Sequence, residues 1–113
     1  MKVNKELIKG STSVLILSLL QRKEMYGYEM IKEIEIKSSG VFSFKEGTLY
    51  PILHSLEKDK IIESYWEEGE SKRKRKYYRI TKEGKEYLKE KQEEWDIFKS
   101  SVDKVLLEVV PCK

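Results

Sequence analysis

The chain has 113 residues, with 23 Lys+Arg against 20 Asp+Glu for a formal charge of +3, and 39% of its residues are hydrophobic. This length suits one domain with an ordinary core. One cysteine, Cys112, rules out an internal disulfide or a cysteine metal cluster, and the lone His54 removes most nucleophile–base and metal-ligand arrangements, which need several converging side chains. The composition therefore predicts a binding protein rather than an enzyme, with no metal and no cofactor.

The near-apolar run from Val14 to Leu20 is interrupted by Ser18 and falls far short of the ~20 residues a bilayer span requires. Gln21, Arg22, Lys23 and Glu24 follow it in place of a small-residue cleavage site. A cytoplasmic protein without a membrane partner is expected. The segment from Lys5 to Arg22 reads as a first helix, apolar almost all round, and so predicted to face both its own core and a second surface such as a partner subunit. Lys23 to Met25 break the pattern. A shorter second helix opens at Tyr26-Gly27-Tyr28, with Tyr28, Met30, Ile31 and Ile34 inward, and ends at Ser38-Ser39-Gly40.

Leu49, Ile52, Leu53 and Leu56 follow the i, i+3, i+4, i+7 template of a third helix. Two starts are compatible with the sequence. Ser43-Phe44-Lys45-Glu46 has the form of a capping box, which would leave Pro51 inside the helix; capping by Thr48 would put Pro51 harmlessly in the first turn. The second is favoured, with the helix running to about Asp59. Lys60 to Glu68 and Lys74 to Thr81 are rich in Ile, Tyr and Trp, and flank a Glu68-Gly69-Glu70-Ser71 turn, so they read as an antiparallel hairpin. A last helix starts at Thr81-Lys82-Glu83-Gly84 and closes at Pro111. Its Leu88, Trp95, Val102 and Val109 lie seven apart, with Phe98 and Val105 three after two of them, a heptad seam with Lys91 as a fault.

The fold class predicted is mostly α with a small β-hairpin: a winged helix-turn-helix over residues 1–81, and one long C-terminal dimerisation helix over 82–113, in a single structural unit. The outward face of the third helix then offers Thr48, Tyr50, Pro51, His54, Ser55 and Lys58 to bases and phosphates, with Lys45 just before it. It holds no Arg or Asn, so phosphate contacts and DNA shape should carry much of the affinity. Five consecutive cations, Lys72, Arg73, Lys74, Arg75 and Lys76, supply the charge from the wing, although strand alternation turns only about half of them to one face. On charge alone the run reads equally as a solvated loop beside Glu67, Glu68 and Glu70. Tyr28 and Tyr78, like Tyr50, offer phenolic hydroxyls to phosphates, with at least one of the three expected in the core. Gly27 allows either a close approach of backbone to phosphate or close helix packing.

Five segments in register carry a resemblance over nearly the whole chain. They are Leu7-Ile8-Lys9-Gly10-Ser11 leading into Leu15 to Leu20, Tyr26-Gly27-Tyr28-Glu29, Gly47-Thr48-Leu49-Tyr50-Pro51-Ile52-Leu53, Leu56 to Ile62, and Lys76-Tyr77-Tyr78-Arg79-Ile80-Thr81-Lys82-Glu83-Gly84. Together they resemble the PadR family of bacterial transcriptional regulators. The resemblance implies a winged-helix repressor, homodimeric through helices after the wing, bound to double-stranded DNA at an inverted-repeat operator. With one such helix the chain is similar to the short subgroup of the family. Lys60 is a departure, because the family often has glycine where the third helix ends. Some members of that subgroup hold planar aromatic ligands in a flat pore at the dimer interface, against a tryptophan of the C-terminal helix, and Trp95 resembles it in placement. Trp95 on the seam reads either as such a stacking residue or as a packed interface residue without a ligand, and Leu7, Val14, Phe98 and Val102 are its expected neighbours in both cases. A winged-helix module that binds another protein in place of an operator is the alternative function.

Overall fold

A computed structural model of the chain describes residues 10–69 and 72–109. Three helices come first: α1 (Thr12–Arg22), α2 (Gly27–Lys37) and α3 (Glu46–Lys58). Strand β1 (Met25–Tyr26) lies between α1 and α2, and β2 (Ile62–Glu68) and β3 (Lys74–Ile80) form the hairpin before the long α4 (Lys82–Val109). The three strands make one antiparallel sheet in the order β1-β3-β2. This is a winged helix-turn-helix followed by a long C-terminal helix.

The core is built from the apolar stripes of the helices. Ile16, Leu17, Leu19 and Leu20 of α1, Met30 and Ile34 of α2, and Leu49, Leu53 and Leu56 of α3 close over Met25, Ile62 and Tyr78 of the sheet. Leu88, fully buried, brings the second turn of α4 into the same cluster. Thr81 sets the start of that helix. Its hydroxyl accepts the Gly84 N–H at 2.9 Å and donates to the Lys60 carbonyl at 2.7 Å, while its own N–H bonds the Ile61 carbonyl at 3.1 Å. A side chain at Gly84 would collide with the Ile61 carbonyl and Ile80, so only glycine admits this approach of α4 to the end of α3.

Several expectations are corrected. Gly10 and Ser11 form a turn and α1 begins at Thr12, so no single helix runs from Lys5; residues 1–9, Leu7 included, lie outside the described residues. The supposed break at Lys23 to Met25 contains a strand, Met25 pairing with Tyr78 and Tyr26 with Tyr77. Tyr28 is not inward but 49% exposed, because Gly27, Met30 and Ile34 form the buried face of α2. α3 starts at Glu46, with Lys45 as its extended N-cap, and neither a Ser43 box nor a Thr48 cap forms. Pro51 therefore stands inside the helix, where it cannot bond the Gly47 carbonyl. The cost is one hydrogen bond beside an exposed glycine, and Glu46 gains a first-turn position favoured by the helix dipole. β2 begins at Ile62 rather than Lys60, since Lys60 (φ +62°) and Ile61 close α3 in a Schellman turn. The Ile61 N–H bonds the Leu56 carbonyl at 2.9 Å, and the Lys60 N–H bonds the Glu57 carbonyl at 3.0 Å. The expected helix end at Pro111, like Cys112, falls outside the described residues.

Candidate nucleic-acid interface

With Leu49, Leu53 and Leu56 buried, the helical period turns Thr48, Tyr50, Pro51, His54, Ser55 and Lys58 of α3 to solvent, and all six are exposed, as is Lys45 at the N-cap. The outward set is the one the apolar stripe predicts. Tyr50 is the least free of them at 37% exposure. A Cβ placed on Gly27 would lie 2.5 Å from the Tyr50 hydroxyl, so the phenol packs directly on the first residue of α2. Of the two roles open to Gly27 from sequence, the structure shows close packing. Partial burial, with the Glu46 charge adding to it, pushes the Tyr50 phenol above its usual pKa.

The wing divides its cations between two faces. Antiparallel pairing sets Lys74 against Glu68, Arg75 against Glu67, Lys76 against Trp66 and Arg79 against Glu63. Ile62, Ser64 and Trp66 share the face turned to α3, along with Lys74, Lys76 and Tyr78. There Glu57 of α3 joins helix to wing, accepting a hydrogen bond from the Ser64 hydroxyl at 2.5 Å and an ion pair from Lys76 at 3.7 Å. On the opposite face Tyr26, Tyr77 and Tyr65 form a ladder with ring centres 5.4 and 5.7 Å apart. Arg75 covers Tyr26 at 4.6 Å, and Arg79, paired with Glu63 at 2.9 Å, covers Tyr65 at 4.9 Å. The Tyr65 hydroxyl donates to Glu24 at 2.5 Å, and this bond is the main cause that raises its pKa to about 12.

Lys72 and Arg73 stand apart from these pairs. They occupy the exposed hairpin tip, where Lys72 has φ +61° and its N–H bonds the Gly69 carbonyl at 3.0 Å. Among the described residues no ion pair engages Lys72, Arg73, Lys74 or Arg75. The basic run is thus part tip and part strand, with Lys76 partly neutralised.

Between α3 and the wing lies an open cleft of about 430 Å³. Tyr50 and His54 form one wall, Trp66, Arg75 and Lys76 the other, with Tyr26, Gly27 and Tyr78 completing it. No carboxylate is among these lining residues. Tyr78, considered from sequence as a phosphate contact, is only 3% exposed, and it is the core member of the tyrosine trio. Burial, then the charges of Glu57 and Tyr50, raises its pKa. Tyr28 stands at the surface with the Lys32 ammonium 5.3 Å from its ring centre. Trp66, 65% exposed, is not among the candidate residues that the sequence singles out. Its signal was the strand alternation from Ile62 through Ser64, which aims position 66 at the side of the third helix. Glu57 carried no such signal, since its partners are brought to it by tertiary folding.

The second group of candidate residues lies on α4. Trp95 and Phe98 stack on one another with ring centres 5.9 Å apart, yet are 50% and 60% exposed, and Val102 is exposed on the same stripe. Val14 is half-buried on α1. Among the described residues no group of His, Cys, Asp and Glu suits a metal ion, and no helix is long and apolar enough to cross a membrane.

Comparison with known proteins gives this geometry a context. Residues 16–90 match the model of the transcriptional regulator PadR-like family. A structure of a transcriptional regulator from Clostridium thermocellum superposes with a TM-score of 0.83 at 42% identity, covering 90% of this chain and 96% of the other. The crystal structure of a PadR-like transcriptional regulator from Bacillus cereus gives 0.80 at 33% identity, covering 90% and 97%. A protein of Lysinibacillus sphaericus with no assigned function is 42% identical over 101 residues, 89% of this chain and 93% of its own length.

Proposed function

Because the chain belongs to the PadR-like family of transcriptional regulators, we propose that it is a homodimeric, sequence-specific DNA-binding repressor acting in the cytoplasm. The observation that carries this reading is the exposed face of α3 beside a cationic wing, across a cleft lined by no carboxylate. α3 enters the major groove, where Thr48, Tyr50, Pro51, His54 and Ser55 meet base edges and Lys45 meets phosphate, while Lys72, Arg73, Lys74 and Arg75 hold the backbone. Tyr28 adds a phenolic hydroxyl at the start of α2. Tyr78 supports the cleft from beneath.

Dimerisation is supported by α4. Its 28 residues extend ~42 Å at 1.5 Å per residue, and every residue from 92 to 107 is exposed. Trp95, Phe98, Val102, Val105 and Leu106 form an apolar stripe along that half, a surface that a monomer does not leave in water without cost. Residues 1–81 act as the DNA-binding part and 82–113 as the dimerising part of one unit, the first turns of α4 serving both. A two-fold pair places its half-sites about one helical turn apart, ~34 Å, on an inverted repeat. The exposed Trp95–Phe98 stack is the basis for an effector role, in which a planar aromatic compound held between copies releases the operator.

Gel retardation with the DNA upstream of its own gene tests the proposal. A salt-sensitive, two-fold footprint is expected, and no retardation at moderate salt would favour a protein-binding module. For the effector, quenching of tryptophan fluorescence by planar aromatics should disappear in Trp95→Ala; quenching that survives unchanged rejects the stack.

A further inference from the structure

Trp66 stands out among the residues of the DNA-facing side because most of its indole is uncovered and nothing in the preceding reading uses it. Strand geometry determines where it points. Ile62, on the same face of β2, is buried against the core, and Ser64 bonds Glu57 of α3. Two residues nearer the tip, Trp66 emerges on that face past the helix contact, opposite Lys76, and reaches the cleft shared with His54 and Tyr50. Among the described residues it stacks on no other aromatic ring.

The chemistry around it is that of a polyanion site with one apolar wall. Arg75, Lys76 and His54 line the cleft with no carboxylate among the lining residues, and the nearest acid, Glu57, pairs with Lys76 at 3.7 Å from outside that lining. A free phosphate would satisfy the cations and leave the indole wet, whereas an acidic peptide would supply charge without a regular apolar repeat. A nucleic-acid strand presents both, since each phosphate is joined to a sugar whose C–H edges suit an aromatic face. We propose that Trp66 is a DNA-contacting residue whose ring packs on a backbone deoxyribose while Lys76, its cross-strand neighbour on the same face, takes the adjoining phosphate. This rests on the DNA-binding reading and adds an uncharged anchor to the wing, one that fixes how deeply α3 sits in the groove.

An apolar anchor has a signature distinct from that of a cation. It releases no condensed counterions, so its removal lowers affinity without changing the dependence on salt. Duplex DNA from the region upstream of the gene is titrated by fluorescence anisotropy at several salt concentrations against the wild-type chain, Trp66→Ala and Trp66→Phe. Trp66→Ala, which removes two indoles from a homodimer, should bind about thirtyfold more weakly at every salt, at the lower end for aromatic–nucleotide contacts, giving a line parallel to wild type, and Trp66→Phe should recover most of the loss. In a Trp95→Phe background the remaining indole emission should change when duplex is added. Thermal unfolding of Trp66→Ala should match wild type, as the side chain is mostly exposed. Unchanged affinity, an altered salt slope or an altered oligomeric mass in Trp66→Ala would each overturn the proposal while leaving DNA binding intact. Failure of the wild-type chain to bind duplex would overturn both.

Discussion

The division of the basic run into paired and unpaired cations has a measurable consequence. Lys72 and Arg73 sit at the exposed hairpin tip without an ion pair among the described residues, whereas Arg79 is held by Glu63 at 2.9 Å and lies over Tyr65 on the face turned from α3. Each phosphate contact contributes about 0.9 to the slope of log K against log salt on B-form DNA. A homodimer brings two copies of each residue, so Lys72→Ala should lower the slope by about 1.8, and Lys72→Ala with Arg73→Ala by about 3.6. Across a fourfold rise in salt, from about 50 to 200 mM, the wild-type complex then weakens about twelvefold more than Lys72→Ala does. Arg79→Gln should leave the slope where it was. Anisotropy titrations on one duplex at four or five salt concentrations give all of these values. An Arg79→Gln slope reduced as much as that of Lys72→Ala would refute the distinction between paired and unpaired cations, and a slope unaffected by loss of both tip cations would refute the phosphate role of the wing.

Three other outcomes follow from local geometry. Lys60 occupies the left-handed C′ position of a Schellman turn, a conformation costing a non-glycine residue ~1–2 kcal/mol, partly offset by the greater chain entropy glycine loses on folding. Lys60→Gly should therefore stabilise the fold by about 1 kcal/mol and raise the melting midpoint by a few degrees, as thermal denaturation would show. Tyr65 has its folded pKa raised from 10.0 to about 12, so its contribution is intact below pH 10 and is lost as the pH rises towards 12. Ultraviolet titration of tyrosinate should show a late phenol that Tyr65→Phe abolishes. Val102→Asp, placing a charge on the exposed stripe of α4, should convert the proposed dimer to a monomer in sedimentation while leaving the melting of the winged-helix core little changed.

The exposed face of α3 was legible in the sequence because α3 is strongly periodic: once Leu49, Leu53 and Leu56 are assigned inward, the outward residues follow. The same reasoning failed on α2. Its buried face begins at Gly27, which has no side chain to register as hydrophobic, so the apolar pattern phases on Tyr28 and turns it inward. β1 was invisible because two residues carry no alternation, and its existence depends on an edge of β3 supplied from fifty residues away. Pro51 misled for a different reason. A proline inside a helix costs a hydrogen bond, but the leucine stripe and Glu46 at the first turn outweigh that cost when the freed carbonyl belongs to an exposed glycine. The pairing of Lys76 with Glu57 lay beyond any local pattern, and with it the fact that the five wing cations are not equivalent.

On the proposed homodimer, the bare distal half of α4 would tie the behaviour of this regulator to its own abundance. That half finds no packing among the described residues, and in the proposed homodimer a second copy covers it, so the species that would grip an inverted repeat forms in proportion to the square of the chain concentration while monomers predominate. Operator occupancy then climbs more steeply than the number of molecules in the cell. A modest change in synthesis or in growth dilution would move the controlled gene between off and on over a narrow interval, with no small molecule required.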